Sequence, residues 1–337
     1  MQKLKFESFN HLTDAIIKRL AQNRIYTILD FLKEEVTKLA TLTSLTLTQV
    51  LDIRSQIFAK YSASLVNGTT IVKKYLTKNL TLSTGIEKLN SIIGGGIPIV
   101  SLTEICGLAD SGKTQLAIQL AINVVKDSSM ENTVLYIDTK GDFSAVRVQK
   151  ILESNNLSPR QMVELMCRIR IVHIWVIEEL IDLFRKIKDH TVDINNLSLI
   201  LVDSLPCLMF QHLGDENKIG LSLLNTLVNY SRCLTAELNI AVIFINIQTR
   251  WVDNDTGDLE DDGETIAAHK EINVTEKRNR CLGKYWQRIP SLVLQLEKLQ
   301  NNFIESGEPL KVTVIKSVTF GLENNQCILN ASTSGIK

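Results

Sequence analysis

The chain has 337 residues, is 45% hydrophobic, and balances 37 Lys and Arg against 37 Asp and Glu. That length exceeds a typical single domain, so one large domain with a smaller companion is expected, and the neutral balance excludes a global positive field for nucleic acid, leaving only local basic surfaces. Six cysteines without a C-x-x-C pair or regular spacing argue against a disulfide framework or a zinc site.

A polar, charged stretch follows Met1 in place of an apolar signal core, and the longest apolar runs are strand-sized. No membrane span is expected, and a nuclear or cytoplasmic setting is the natural reading. Residues 1–60 carry apolar positions at helical spacing: Leu12, Ile16, Ile17 and Leu20, then Ile28, Leu29, Phe31 and Leu32, then Val50, Leu51, Ile53 and Ile57. They predict a small N-terminal helical domain. Residues 61–79 read as a linker, loosening around Asn67-Gly68 with Lys73, Lys74 and Lys78 following. Within it, Tyr61 to Val66 suits either a strand added to a neighbour's sheet edge or a short strand covering the chain's own domain.

From residue 80 to 337 strand-like and helix-like runs alternate, which predicts an α/β fold with a mostly parallel sheet. Val100 to Ile105, Val134 to Asp138, Leu197 to Asp203 and Ile240 to Asn246 read as strands buried on both faces. Leu292 to Leu296 and Val312 to Ile315 read as later strands, with antiparallel pairing as one option.

Between the first of these strands and a helix-like run from Gln115 to Val125 lies Gly107-Leu108-Ala109-Asp110-Ser111-Gly112-Lys113-Thr114, an unbroken G-x-x-x-x-G-K-[ST] phosphate loop. Gly107 and Gly112 permit backbone angles that turn successive N–H groups into one concavity. Lys113 supplies a charge for the terminal phosphates, and the Thr114 hydroxyl suits Mg²⁺. The helix N-terminus favours the same negative charge. ATP with Mg²⁺ is the implied cofactor. Downstream, the apolar run Leu199 to Val202 ends in Asp203, the pattern of a carboxylate beside Mg²⁺ at the end of such a sheet.

Leu82-Ser83-Thr84-Gly85 through Asn90, Gly94-Gly95-Gly96-Ile97, Gly112-Lys113-Thr114-Gln115, Tyr136-Ile137-Asp138-Thr139 and Val202-Asp203-Ser204 together resemble the RecA-family recombination ATPases. The helical N-terminal domain, Val66-Asn67-Gly68, Ile171-Val172-His173 and Leu282-Gly283-Lys284-Tyr285-Trp286 resemble in particular the D-type member of the eukaryotic recombinase paralogues. The resemblance implies a RecA-like ATPase core, with Gln115 beside the nucleotide and Arg147 packed on adenine, although an exposed helix arginine reads equally well there. It also implies a heteromeric complex with other recombinase paralogues, a role in homologous recombination and break repair in the nucleus, and contact with single-stranded or branched DNA.

Two departures from that pattern bear on activity. Strand-exchange members of this branch carry a water-positioning Glu directly after the Asp-Thr pair, whereas this chain has Lys140, which is protonated at neutral pH and cannot act as that base. Lys140 is suited instead to stabilising phosphate charge. Where those relatives have a sensor Gln after Asn246, this chain has Ile247, with Gln248 displaced by one and so turned to the opposite strand face. The expectation is ATP binding with, at most, weak DNA-dependent hydrolysis. An active strand-exchange recombinase is the first alternative, and an unrelated P-loop kinase or NTPase the second.

The resemblance places DNA-lining loops after Asp203 and after Asn246. The first, Pro206 to Gly220, offers Lys218 beside Asp215 and Glu216. The second opens on Thr249-Arg250-Trp251 and enters an acidic block, residues 252–268, holding Asp253, Asp255, Asp258, Glu260, Asp261, Asp262 and Glu264, which reads as disordered and repels phosphates. Beyond it, Lys270, Lys277, Arg278, Arg280 and Lys284 with Tyr285 and Trp286 form either a single-strand platform of charge and stacking surface or a polar loop with Trp286 in the core. DNA binding by the isolated chain is expected to be weak, with Arg250, Lys277, Arg278 and Arg280 as its candidates.

Overall fold

A computed structural model describes residues 9–62, 66–70, 72, 81–127, 131–212, 214, 218–253, 275–299, 307–318 and 325–337. Two compact units divide the chain, Met1–Lys78 and Asn79–Lys337.

The first unit holds helices α1 (Asp14–Gln22), α2 (Ile28–Lys33), α3 (Val36–Thr43) and α4 (Leu47–Tyr61). Thr13, Thr27 and Thr46 each accept a backbone N–H at a helix start, and Asp30 and Gln49 complete capping boxes on the last two. Each such cap stabilises its helix by about 1 kcal/mol. Leu12, Leu20, Phe31, Leu39, Val50, Ile53 and Ile57 form the core. Leu29 and Leu51, expected among them, are 39% and 53% exposed. Each directly adjoins the buried stripe in sequence, and about 100° of helical rotation per residue turns it outward. Of the segment expected to dock as a strand, Tyr61 ends α4, while 63–65 and the linker lysines lie outside the described residues.

The second unit runs β1 (Thr81–Leu82), α5 (Glu87–Ile92), β2 (Ile97–Pro98), β3 (Leu102–Gly107), α6 (Lys113–Lys126), β4 (Thr133–Asp138), α7 (Ala145–Glu153), α8 (Pro159–Cys167), β5 (Ile169–His173), α9 (Ile177–Lys188), β6 (Leu197–Asp203), α10 (Leu205–Met209), α11 (Lys218–Leu238), β7 (Ala241–Ile245), β8 (Gln248–Asp253), β9 (Thr275–Arg280), α12 (Gly283–Arg288), β10 (Leu292–Lys298), β11 (Glu308–Ser317), β12 (Gln326–Ser332) and β13 (Gly335–Ile336). A nine-stranded sheet orders them β13-β12-β11-β10-β3-β7-β6-β4-β5. From β10 to β5 every pairing is parallel, and β11, β12 and β13 add antiparallel. Of the two later strands, β10 therefore runs with the parallel core.

Strand side chains alternate between two apolar layers. On β4, Val134 and Tyr136 join α6 and α7 in one layer, while Leu135 and Ile137 join α9 and α11 in the other. Both faces are covered, so the parallel strands carry continuous apolar runs. β3 begins two residues later than its apolar pattern suggests, because Val100 adopts φ +68° in a turn, and pairing with β10 and β7 carries the strand to the phosphate loop. Its C-terminal end lies mid-sheet, where open α/β sheets bind ligands. Among the described residues, no helix is long and apolar enough to cross a membrane.

Candidate nucleotide site

Backbone geometry at the phosphate loop demands its glycines. A Cβ on Gly107 would lie 2.5 Å from both the Leu296 carbonyl and the Ser111 Oγ, and Gly112 sits at φ +86°. From Gly112 the chain enters α6, whose first N–H groups have no acceptor within the helix and form the positive end of its dipole. A cleft of about 530 Å³ opens over this end, lined by Lys113, Thr114, Lys140, Asp142, Ile247 and Leu310 among others. That volume suits a small-molecule ligand. Lys113 Nζ donates to the Leu108 carbonyl at 2.5 Å and to Ser111 Oγ at 3.3 Å. Burial, then repulsion from the Lys140 ammonium, lowers its pKa below the ordinary lysine range.

The acidic side is built by β4 and β6, whose register sets Asp138 beside Asp203. The two carboxylates differ in what they have left to offer. Asp138 Oδ1 accepts the N–H groups of Lys140, Gly141 and Asp142 at 3.1, 2.9 and 3.3 Å, and Oδ2 accepts that of Phe143 at 3.0 Å. Burial opposes its charge, but these four bonds outweigh it and hold the pKa below the usual carboxylate value. Asp138 is therefore committed to shaping the loop. Asp203 is 1% exposed, and its Oδ2 accepts the Tyr136 hydroxyl at 2.8 Å. Burial and the neighbouring Asp203 charge push the Tyr136 pKa well above 10. Asp203 Oδ1 has no hydrogen-bond partner, and a buried orphan oxygen 3.5 Å from Lys140, which lines the cleft, fits a role in organising Mg²⁺. Thr139 locks the two strand ends together, its Oγ1 accepting the Ser204 N–H at 2.7 Å and donating to the Ser204 carbonyl at 2.9 Å.

Lys140 follows that lock. Its Nζ lies 2.8 Å from Asp142 Oδ2 and 3.5 Å from Asp203 Oδ1. Burial disfavours the ammonium, but Asp203 and Asp142 more than compensate and raise its pKa above the ordinary lysine value. A proton acceptor at this position is excluded at neutral pH, and Asp142 is paired with the same ammonium.

On the other flank, Ile247 faces the cleft, whereas Gln248 is 6% exposed and its Nε2 lies 3.7 Å from Cys106 Sγ. Asn246 Nδ2 donates to Glu104 Oε1 at 2.8 Å and to the Cys281 carbonyl at 3.1 Å. Glu104, missed by sequence reasoning, is fully buried in β3 and pairs with Arg280 at 2.9 Å. Burial raises its pKa, with Arg280 and then Asn246 pulling it back only in part. An acid inside an apolar strand was the signal that could have found it.

Arg147 reaches the far end of the sheet. Its Nε donates to Gln115 Oε1 at 2.8 Å, and its terminal nitrogens donate to the Thr333 and Ser332 carbonyls at 2.5 and 2.6 Å. Both side chains thus tie α6 and α7 to the turn between β12 and β13. Among the candidate DNA residues, the β8–β9 hairpin sets Arg250 opposite Arg278 and Trp251 opposite Lys277, although these are far apart in sequence. Arg278 pairs with Glu297 and Arg280 with Glu104. Trp286 has no exposure and packs edge-on against Phe244, so the core reading holds for it and the stacking platform loses its tryptophan. Part of the first expected loop is helical, as α10 followed by a 3₁₀ turn at Phe210–His212, and α11 begins at Lys218. Asp215, Glu216, Lys270 and the acidic block beyond Asp253 lie outside the described residues.

Residues 76–270 match the Rad51 family. The chain is 26% identical to the DNA repair protein RAD51 homolog 4 of Bos taurus over 296 residues, covering 86% of this chain and 84% of that one. It is 31% identical to the DNA repair and recombination protein RadA of Metallosphaera sedula over 131 residues, 37% of this chain and 38% of that one. The crystal structure of the RadB recombinase superposes with a TM-score of 0.57 at 22% identity, covering 76% of this chain and 98% of that one, which identifies the fold as RecA-like.

Proposed function

We propose, from the premise that this chain belongs to the Rad51 family, that it is an ATP-binding recombinase paralogue acting in homologous recombination and DNA-break repair, with weak intrinsic hydrolysis. The observation that carries the reading is Lys140, an ammonium 3.5 Å from Asp203 Oδ1 where its active relatives place a water-positioning carboxylate. Residues 107–114 would hold the phosphates, Lys113 the terminal ones, and Thr114 with Asp203 would organise Mg²⁺. When bound, Mg²⁺ would supply neutralisation of the phosphate charge. The chain's own residues supply binding and orientation: the loop N–H groups fix the phosphates, Tyr136 fixes the Asp203 carboxylate, and the position directly after Thr139 offers an ammonium in place of a carboxylate to an attacking water.

Assembly with other recombinase paralogues is part of this reading, and the edge of the sheet at β5 supports it. Among the described residues β5 pairs with β4 alone, and a groove of about 750 Å³ beside it is lined by Ile169, Ile171, Leu183 and Val192 together with Arg170, Asp193 and Asn195. An open edge with apolar pockets accepts a strand from a neighbour. DNA contact falls to the β8–β9 hairpin, where Arg250 and Arg278 face each other in register, and is weak in the isolated chain. The site of action is the nucleus.

ATP binding and phosphate release by the purified chain and by Lys113→Ala, with and without single-stranded DNA, test this reading. Tight binding lost in Lys113→Ala, with negligible turnover, is the expected result. Fast DNA-stimulated turnover would establish the strand-exchange recombinase instead.

A further inference from the structure

The charge arrangement around Asp203 does more than explain slow hydrolysis. Its Oδ2 is taken by Tyr136 and its Oδ1 is a buried atom without a hydrogen bond, so the carboxylate requires a cation to be tolerated at 1% exposure. Lys140 provides one from within the chain. Its side chain is 28% exposed, and it is steadied from the outer side by Asp142. An ammonium has three donors. One is directed at Asp142 at 2.8 Å, Asp203 Oδ1 lies 3.5 Å away as an ion pair without a hydrogen bond, and the remaining donors serve a ligand in the cleft that Lys140 lines together with Lys113 and Thr114.

We infer that Lys140 is a resident cation of the nucleotide site, neutralising Asp203 and contacting the bound triphosphate, so that nucleotide binding tolerates removal of Mg²⁺. The inference rests on the nucleotide-binding reading above. A bare carboxylate at this position repels a triphosphate, and ordinarily a divalent ion must intervene before the two can share a site. A tethered ammonium performs that neutralisation at a fixed, high local concentration and does not dissociate. A protonated ammonium also cannot accept a proton from an attacking water, so binding and turnover are separated by one substitution.

Calorimetric titration with a non-hydrolysable ATP analogue, in excess Mg²⁺ and in EDTA, tests this on the full chain. For the wild type the two dissociation constants should agree within about threefold, because the local cation remains when the divalent ion is removed. Lys140→Met should bind in Mg²⁺ but weaken by about tenfold or more in EDTA, while Lys140→Arg should keep the tolerance. Thermal melts without nucleotide show that each variant is folded, and the wild-type comparison stands without any variant. A wild type that binds in Mg²⁺ but weakens more than about tenfold in EDTA overturns the inference and leaves the nucleotide-binding reading intact. A wild type that binds in neither condition overturns both.

Discussion

Replacing Trp286 with alanine asks whether the segment after β9 serves the core or presents a stacking surface to DNA. Trp286 has no exposure, meets Phe244 edge-on with ring centroids 5.2 Å apart, and lies in the apolar layer with Leu205, Leu224 and Leu282. Removing a buried aromatic side chain costs about 3–5 kcal/mol through lost transfer energy and the cavity left behind. Taking about 4 kcal/mol, and a shift of about 2–4 °C per kcal/mol for a unit of this size, the melting temperature should fall by about 8–16 °C. A double-mutant cycle with Phe244→Leu should return about 0.5–1.5 kcal/mol of coupling for the ring pair. Circular dichroism melts supply the stability, and fluorescence anisotropy with a single-stranded oligonucleotide supplies the binding. A variant that melts within about 3 °C of wild type yet loses oligonucleotide binding would refute the core assignment, since a surface residue carries little stability.

Lys140→Glu should raise ATP turnover by about a hundredfold, the lower end of what a positioned general base contributes; single-turnover phosphate release checks it, and an ATP-binding variant with no gain would count against the missing-carboxylate argument. For Asp138, whose folded pKa is depressed below 3.8, the stabilisation is fully present above that value and is lost as pH falls through the lower folded pKa. Asp138→Asn, which presents an NH₂ to one of the four N–H donors, should cost about 1–3 kcal/mol at pH 7, and melts across the acid range should show the difference from wild type shrinking below pH 3.8. Gly112→Ala would hold a Cβ at φ +86° and 3.0 Å from Leu310 Cδ1; the left-handed strain of about 1–2 kcal/mol should displace the loop and weaken ATP binding in the same calorimetric titration, and unchanged affinity would contradict the cradle geometry.

The RecA-like core was legible because its signals are local. The phosphate loop is contiguous, and strands buried on both faces announce themselves as unbroken apolar runs such as Leu199 to Val202. Helix spacing identified the N-terminal bundle, but not that Leu29 and Leu51 face water. Arg147 carries an adenine-packing expectation from family resemblance, while its donors in the fold meet carbonyls nearly two hundred residues away. Glu104 with Arg280 and Asn246 is likewise a long-range cluster that spacing cannot reveal.

The sequence by itself determined the phosphate loop, the alternation of strands and helices, and the place of Lys140 directly after the Asp138-Thr139 pair. Each depends on residues adjacent along the chain or on short-period burial. Only the tertiary structure decided that Asp138 is consumed by four backbone N–H groups while Asp203 keeps an open oxygen, and that the Lys140 ammonium reaches it. Two strand-end aspartates look alike in a sequence. Their chemistry diverges because one is wrapped by the turn that follows it and the other is buried beside a neighbouring strand's tyrosine, and such desolvation and hydrogen bonding are set by three-dimensional neighbours.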